Sequence, residues 1–299
     1  MSKTIIHIGS PKAGSKFLQA YFKQHPDLYF GYDDFWEFSI DGRLDETLRH
    51  LKAEHSISVF SAEKLVCPSF YVSFRNGVYD QINNIGKYQE ETARQLSEWA
   101  PDAYVLFIVR GFQSVVPSLY SQHIAAGGVE TYAEFLENYQ QEVTQIYNYD
   151  YIYQVYRGYF EEEKILVVPF ELLKTDKDVF LKLIEDQFDV PHHHFISKKV
   201  NKSLSPKHID FYRRLSKFAY RVIRLFPPFL RRRLTNLYIH ALESGVMIKI
   251  KDTFLSKKGE LELSPETKAK EEAVLMKMID NAKEITQLKH VYPFSEYYR

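Results

Sequence analysis

The chain has 299 residues, is 45% hydrophobic and 15% aromatic, and balances 39 Lys plus Arg against 39 Asp plus Glu. Apolar material is ample for a sizeable core, while the missing basic excess argues against a nucleic-acid partner and leaves any anion recognition to local charge. A single cysteine, Cys67, excludes an internal disulfide and the paired-thiolate zinc patterns, so a reducing compartment and no metal centre are expected.

In chain order, Thr4 to Gly9 is an apolar run that predicts a first strand, begun too early to leave room for a signal peptide. No apolar run approaches the roughly eighteen residues needed to cross a bilayer, so a soluble, cytoplasmic protein is expected. The strand leads through His7-Ile8-Gly9-Ser10-Pro11-Lys12-Ala13-Gly14-Ser15-Lys16 into a helix predicted over Ser15 to Gln24. A strand, a glycine-bearing loop and a helix start is how proteins hold phosphate: Gly9 and Gly14 let main-chain N–H groups approach an anion, and the opening turn adds unpaired donors. The spacing nearly matches the nucleotide loop G-x-x-x-x-G-K-[ST], but Gly14 is followed by Ser15 and only then Lys16, which puts that lysine out of register.

Asp41 to Glu54 reads as a helix and Ile57 to Ser61 as a strand, with Glu63 just beyond it. After a helix over Glu90 to Trp99, the run Tyr104 to Val109 predicts a strand buried on both faces that ends on Arg110, at the carboxyl edge where open α/β sheets bind ligands. The next helix, Phe112 to Ile124, carries Ser118 eight positions past that arginine. Tyrosines at 147, 149, 151, 153, 156 and 159 suit a helix laid against the sheet better than a platform for sugar rings. Ile165 to Pro169 is the last strand; His192-His193-His194 follows Pro191 in a short loop where neighbouring side chains diverge, which disfavours a metal. Asp176 to Gln187, Pro206 to Phe218, Pro228 to Leu242 and Pro265 to Ala282 read as helices, with Ser205 and Ser264 as N-caps before prolines. The expectation is an α/β fold of three P-loop-like layers, with a central four- or five-stranded parallel sheet and additional C-terminal helices. One domain covers 1–299, with an α/β nucleotide-binding core over 1–205 and a helical part over 206–299.

The order Lys12-Ala13-Gly14-Ser15-Lys16 after a strand resembles the 5′-phosphosulfate loop of sulfotransferases that use 3′-phosphoadenosine 5′-phosphosulfate (PAPS). Arg110 with Ser118 looks like that family's 3′-phosphate site. Leu166 to Leu173 resembles its strand leading to F-E-x-L, Val200-Asn201-Lys202-Ser203 its V-N-x-S segment, and His25-Pro26-Asp27 the H-P-D of heparan-type members; the likeness runs in order over about residues 4 to 205. The family's adenine-side R-K-G-x-x-G has only a faint echo in Lys257-Lys258-Gly259, and that contact is not placed.

The resemblance implies PAPS as cofactor, with Lys12, Ala13, Gly14, Ser15 and Lys16 at the phosphosulfate, Lys12 at its bridging oxygen, and Arg110 with Ser118 at the 3′-phosphate. It implies sulfuryl transfer to an acceptor hydroxyl without a metal, in keeping with Arg110 standing where a Walker-B acid would be. His25-Pro26-Asp27 leans towards a saccharide or glycoconjugate acceptor. Two carboxylates compete as general base: Glu63, which resembles an S-x-E-x-L segment of bacterial members, is preferred over Asp34, which falls where heparan-type enzymes keep a catalytic glutamate; His55 and His123 are weaker candidates. The alternatives are a P-loop kinase acting on a small molecule with ATP, and a non-catalytic nucleotide-binding scaffold docking on a membrane or partner.

Segment 211–242 holds Arg213, Arg214, Lys217, Arg221, Arg224, Arg231, Arg232 and Arg233 with no Asp or Glu, interleaved with Phe211, Tyr212, Phe218, Tyr220, Phe226 and Phe229. Such a segment suits an anionic glycan or an anionic membrane surface, or else a hairpin packed on the core through its aromatics.

Overall fold

The computed structural model describes residues 3–31, 56–62, 65–67, 84–195, 204, 206–243 and 263–299. The predicted helix at 41–54, Asp34, His55, Glu63, the 200–203 segment and Lys257-Lys258-Gly259 lie outside the described residues.

Five parallel strands, β1 (Lys3–Gly9), β2 (Tyr29–Gly31), β3 (Ile57–Ala62), β4 (Tyr104–Val109) and β5 (Ile165–Pro169), form one sheet in the order β2-β3-β1-β4-β5. β1 is central, with Ile5 opposite both Val59 and Tyr104. Because both faces are covered, β4 is apolar without alternation. On one face Ile6, Ile8, Phe60 and Phe107 pack with Leu96 of α2 (Ile85–Trp99), Val115 and Leu119 of α3 (Phe112–Ala125) and Ile152. On the other, Ile5, Leu106 and Ile108 pack with Leu18 and Phe22 of α1 (Ser15–Gln24) and with Phe180 and Ile184. The three layers and the parallel sheet are those expected from the alternation of strands and helices.

Between α3 and β5 lie α4 (Tyr132–Asn138), α5 (Gln140–Ile146) and α6 (Tyr149–Arg157). β5 is followed by α7 (Phe170–Thr175), α8 (Lys177–Phe188), α9 (Pro206–Ile223), α10 (Pro228–Glu243) and α11 (Pro265–Asp280). Caps set several of the boundaries. Asp176 accepts Val179 N–H at 3.0 Å to open α8, and Ser264 accepts Thr267 N–H at 3.2 Å ahead of Pro265. α2 begins five residues before the predicted Glu90 because Asn84 caps it through Lys87 N–H. Ile209, Tyr212, Leu242, Val274 and Met278 from the late helices join the same apolar cluster as Ile6 and Phe107. Among the described residues no helix is long and apolar enough to cross a membrane.

His7 in β1 is fully buried, its Nδ1 2.8 Å from Ser61 Oγ, and burial holds its pKa near 3 against an ordinary 6.5. The unfolded chain therefore takes up a proton that the fold refuses, so the contribution of His7 to stability is complete above pH 6.5 and is lost as pH falls towards 3. By pH 5 one such proton amounts to about 2 kcal/mol. Urea titrations should show His7→Gln losing about that much less stability than the wild type between pH 7 and pH 5; equal losses would remove His7 as the source.

Candidate active site

The loop between β1 and α1 is fixed by its own backbone. Ala13 N–H donates to Ser10 C=O at 3.1 Å, and Lys12 and Gly14 both take left-handed conformations with φ of 64° and 86°. Gly14 caps α1, and a Cβ there would stand 2.9 Å from ring carbons of Phe170, so conformation and space both demand glycine. Its carbonyl accepts from Phe17 and Leu18, whereas the amides of Gly14, Ser15 and Lys16 donate to nothing among the described residues. Ser15 is 2% exposed, and its hydroxyl has no partner among the described residues. A buried hydroxyl left unpaired costs about 1–3 kcal/mol, and here it sits beside free amides at the positive end of a helix with no acidic residue in its first turn. Those donors suit an anion.

Arg110 follows β4 directly, and β4 pairs with β1 so that Ile108 lies opposite Gly9. The guanidinium reaches across this seam: Nη1 donates to Lys12 C=O at 2.5 Å, Nε to Ser114 Oγ at 2.9 Å and Nη2 to Ser114 C=O at 3.1 Å. It also lies 4.8 Å from the centre of the Phe170 ring, and Lys174 Nζ stands at the same distance from that ring. Burial, then the charge of Arg110, pulls the Lys174 ammonium below its ordinary pKa, with Glu171 opposing. Arg110 is itself lowered by burial, opposed by Tyr147, Glu171 and Tyr149. Glu171 is the acidic neighbour of the pair: its Oε1 accepts Gly111 N–H at 3.1 Å, it is 1% exposed, and burial raises its pKa against the pull of Lys174 and Arg110. Two cations thus stand over one ring, beside the loop that carries Lys12.

Two tyrosines brace this arrangement. Tyr147 OH donates to Pro11 C=O at 3.0 Å; Tyr149 OH donates to Arg110 C=O and accepts Arg110 N–H, both at 3.0 Å. Both rings are fully buried, and Tyr149 stacks on Phe112 at 5.4 Å. The tyrosine-rich segment thus packs against the sheet, as its spacing suggested, and also positions both halves of the site.

Of the residues singled out from sequence, Lys12, Ala13, Gly14, Ser15, Lys16 and Arg110 come together at one edge of the sheet. Ser118 is buried one turn beyond Ser114 on α3 and its hydroxyl makes no hydrogen bond among the described residues; Ser114 is the hydroxyl that touches Arg110. The candidate bases Asp34 and Glu63 fall outside the described residues. His123, a weaker candidate base, is buried, with Nε2 2.6 Å from Glu130 Oε2 and its ring against Phe135 and Tyr139. The histidine loop is likewise tied down: Glu185 accepts from Tyr21 OH at 2.6 Å and lies 2.9 Å from His192 Nδ1. Among the described residues no group of three or more metal-ligating side chains occurs. Sequence reading missed Ser114, Phe170, Glu171 and Lys174 as site residues. The last three share α7, where Lys174 stands four positions after Phe170 and hence on its face of the helix, a spacing visible in the sequence.

A family model described as "Sulfotransferase family" matches residues 4–194. Among solved structures, the chain is similar to a sulfotransferase from Alicyclobacillus acidocaldarius, at 16% identity over 82% of this chain and 100% of that one, with a TM-score of 0.49. It is also similar to mouse sulfotransferase SULT7A1 complexed with PAP, at 12% identity over 99% of this chain and 90% of that one, with a TM-score of 0.42. No curated protein matches the chain.

Proposed function

The chain belongs to the sulfotransferase family, and we propose that it transfers a sulfuryl group from PAPS to an acceptor hydroxyl, with a saccharide or glycoconjugate as the acceptor class. The observation that carries this reading is the hydrogen bond from Arg110 Nη1 to Lys12 C=O, because it joins the two anion sites a doubly phosphorylated adenosine needs. The chain's own groups fit that ligand: the unpaired amides of Gly14, Ser15 and Lys16 and the orphaned Ser15 hydroxyl for the 5′ end, and Arg110, with Ser118 farther along α3, for the 3′-phosphate. Lys174 adds a second cation beside Arg110.

PAPS supplies an activated sulfuryl group, which leaves by cleavage of its bond to the 5′-phosphate oxygen. Positioning and charge stabilisation dominate such a transfer, as in phosphoryl transfer. Lys12 neutralises charge growing on the leaving oxygen, while the loop amides and Ser15 keep the phosphate still. The acceptor hydroxyl gives its proton to a carboxylate. Glu63 is preferred over Asp34, because Glu63 follows Ala62, and Ala62 pairs with Ile8 beside the loop.

Thermal-shift measurements with 3′-phosphoadenosine 5′-phosphate (PAP), ATP, ADP and AMP test the reading. PAP at a hundredfold excess over its Kd stabilises by about 2.7 kcal/mol, and the Arg110→Ala variant is expected to lose most of that gain. Equal or greater stabilisation by ATP with magnesium, abolished by a chelator, would replace the reading with that of a kinase.

A further inference from the structure

We propose that the α9–α10 hairpin is a docking surface for an anionic lipid bilayer. α9 carries two apolar stripes. Ile209, Tyr212 and Ser216 face inward, with Ser216 Oγ 2.9 Å from Tyr238 OH; Tyr220 OH, one turn on, donates to Gly127 C=O at 3.0 Å. Phe211, Phe218 and Val222 begin two positions later and so lie about 200° around the helix, on the side away from the core, and Leu225 follows in the turn just beyond α9. The inward stripe accounts for how the hairpin is held, and the outward one has no such use.

The side chains of that outer face are out in solvent. Leu225 is 84% exposed, Phe229 78%, Phe218 65% and Leu237 62%, and Phe226 and Val222 are exposed as well. Packing of the hairpin through its aromatics therefore explains Tyr212, Tyr220 and Tyr238 but not these. Large apolar groups left in water at this density mark a contact surface. Val222, Leu225, Phe226 and Phe229 lie in or within a turn of the 224–227 link that joins the two helices.

Charge selects the occupant. Of the eight basic residues, Arg213 and Arg214 pair with Asp210 at 3.0 and 2.8 Å, while Arg221, Arg224, Arg232 and Arg233 meet no carboxylate among the described residues. Arg231 bonds only a backbone carbonyl, that of Phe226 at 2.8 Å. A glycan would engage the arginines and could stack on the phenylalanines but would leave the aliphatic Val222, Leu225 and Leu237 in water, whereas a bilayer takes all of them, with guanidinium groups at the lipid phosphates and the apolar tip at the acyl boundary. The exposed side chains of the tip make none of the contacts described for Arg110, so the inference is tested apart from the reaction.

The test is sedimentation of the full chain with vesicles of phosphatidylcholine alone and with about 30% phosphatidylglycerol. Binding is expected only to the anionic vesicles and should weaken with salt. Replacing Arg224, Arg232 and Arg233 together by glutamine should reduce partitioning roughly a hundredfold, and Leu225→Ser with Phe229→Ser at least about tenfold. All five side chains are exposed, so circular dichroism and the melting midpoint should be unchanged, and PAP stabilisation should persist in both variants. The proposal is overturned if the chain ignores anionic vesicles, or if only the arginine variant loses binding, which would mark a polyanion site. It is overturned equally if sedimentation velocity reveals a dimer that the serine variant dissociates, since the apolar tip then meets a second copy.

Discussion

Replacing Lys12 by alanine is expected to lower turnover, read as PAP formed from PAPS with an acceptor present, at least about a hundredfold while nucleotide binding is partly retained. Most of the anion grip comes from elsewhere: the amides of Gly14, Ser15 and Lys16, the Ser15 hydroxyl and Arg110 are untouched by the change. On the proposed mechanism, what disappears is the cation matched to charge that exists only as the bond breaks, which is why turnover should suffer far more than affinity. Lys12 also holds a left-handed backbone that costs a residue with a side chain about 1–2 kcal/mol. Lys12→Gly therefore separates the two contributions: it should lose turnover as severely as alanine yet melt no lower, the relief of backbone strain offsetting the greater freedom of the unfolded glycine. A glycine variant that kept wild-type turnover would show the ammonium to be dispensable, and the catalytic assignment would fall.

The legible parts of the fold were those written in short range. The strands Tyr104–Val109 and Ile165–Pro169 and the helix Ser15–Gln24 end where their apolar runs, their glycine and their proline say they should. β2 escaped because three residues carry no period, and α9 runs five residues past Phe218 because its outward stripe continues the helical spacing without a core to meet. At the site, Lys12, Gly14, Ser15 and Arg110 could be named because a strand end followed by such residues is a local signal. Their proximity could not, since it depends on β4 lying beside β1, and the braces are farther still: Tyr147 reaches Pro11 across 136 positions and Tyr149 reaches Arg110 across 39. The contact between Arg110 and Ser114 was not foreseen for a simpler reason: the guanidinium folds back onto the first turn of α3.

Gly14→Ala is expected to damage stability and nucleotide binding together. The added methyl meets two strains: a φ of 86°, and ring carbons of Phe170 at 2.9 Å with Leu173 at 3.3 Å behind them. Phe170 cannot move alone, because Arg110 and Lys174 both rest against its ring, so displacing it displaces the cations assigned to the nucleotide. Conformation accounts for about 1–2 kcal/mol and overpacking for about as much again, a drop near 3 kcal/mol in denaturant titrations. A double variant divides the sum. Adding Phe170→Ala to Gly14→Ala removes the collision but not the backbone strain, so the cost of the alanine at position 14 should shrink to roughly 1–2 kcal/mol when measured against Phe170→Ala alone. The coupling between the two positions then measures how far the loop and α7 act as one wall of the anion site. Independent costs would mean that the ring does not press on the loop, and the link drawn between Gly14 and the two cations would be lost.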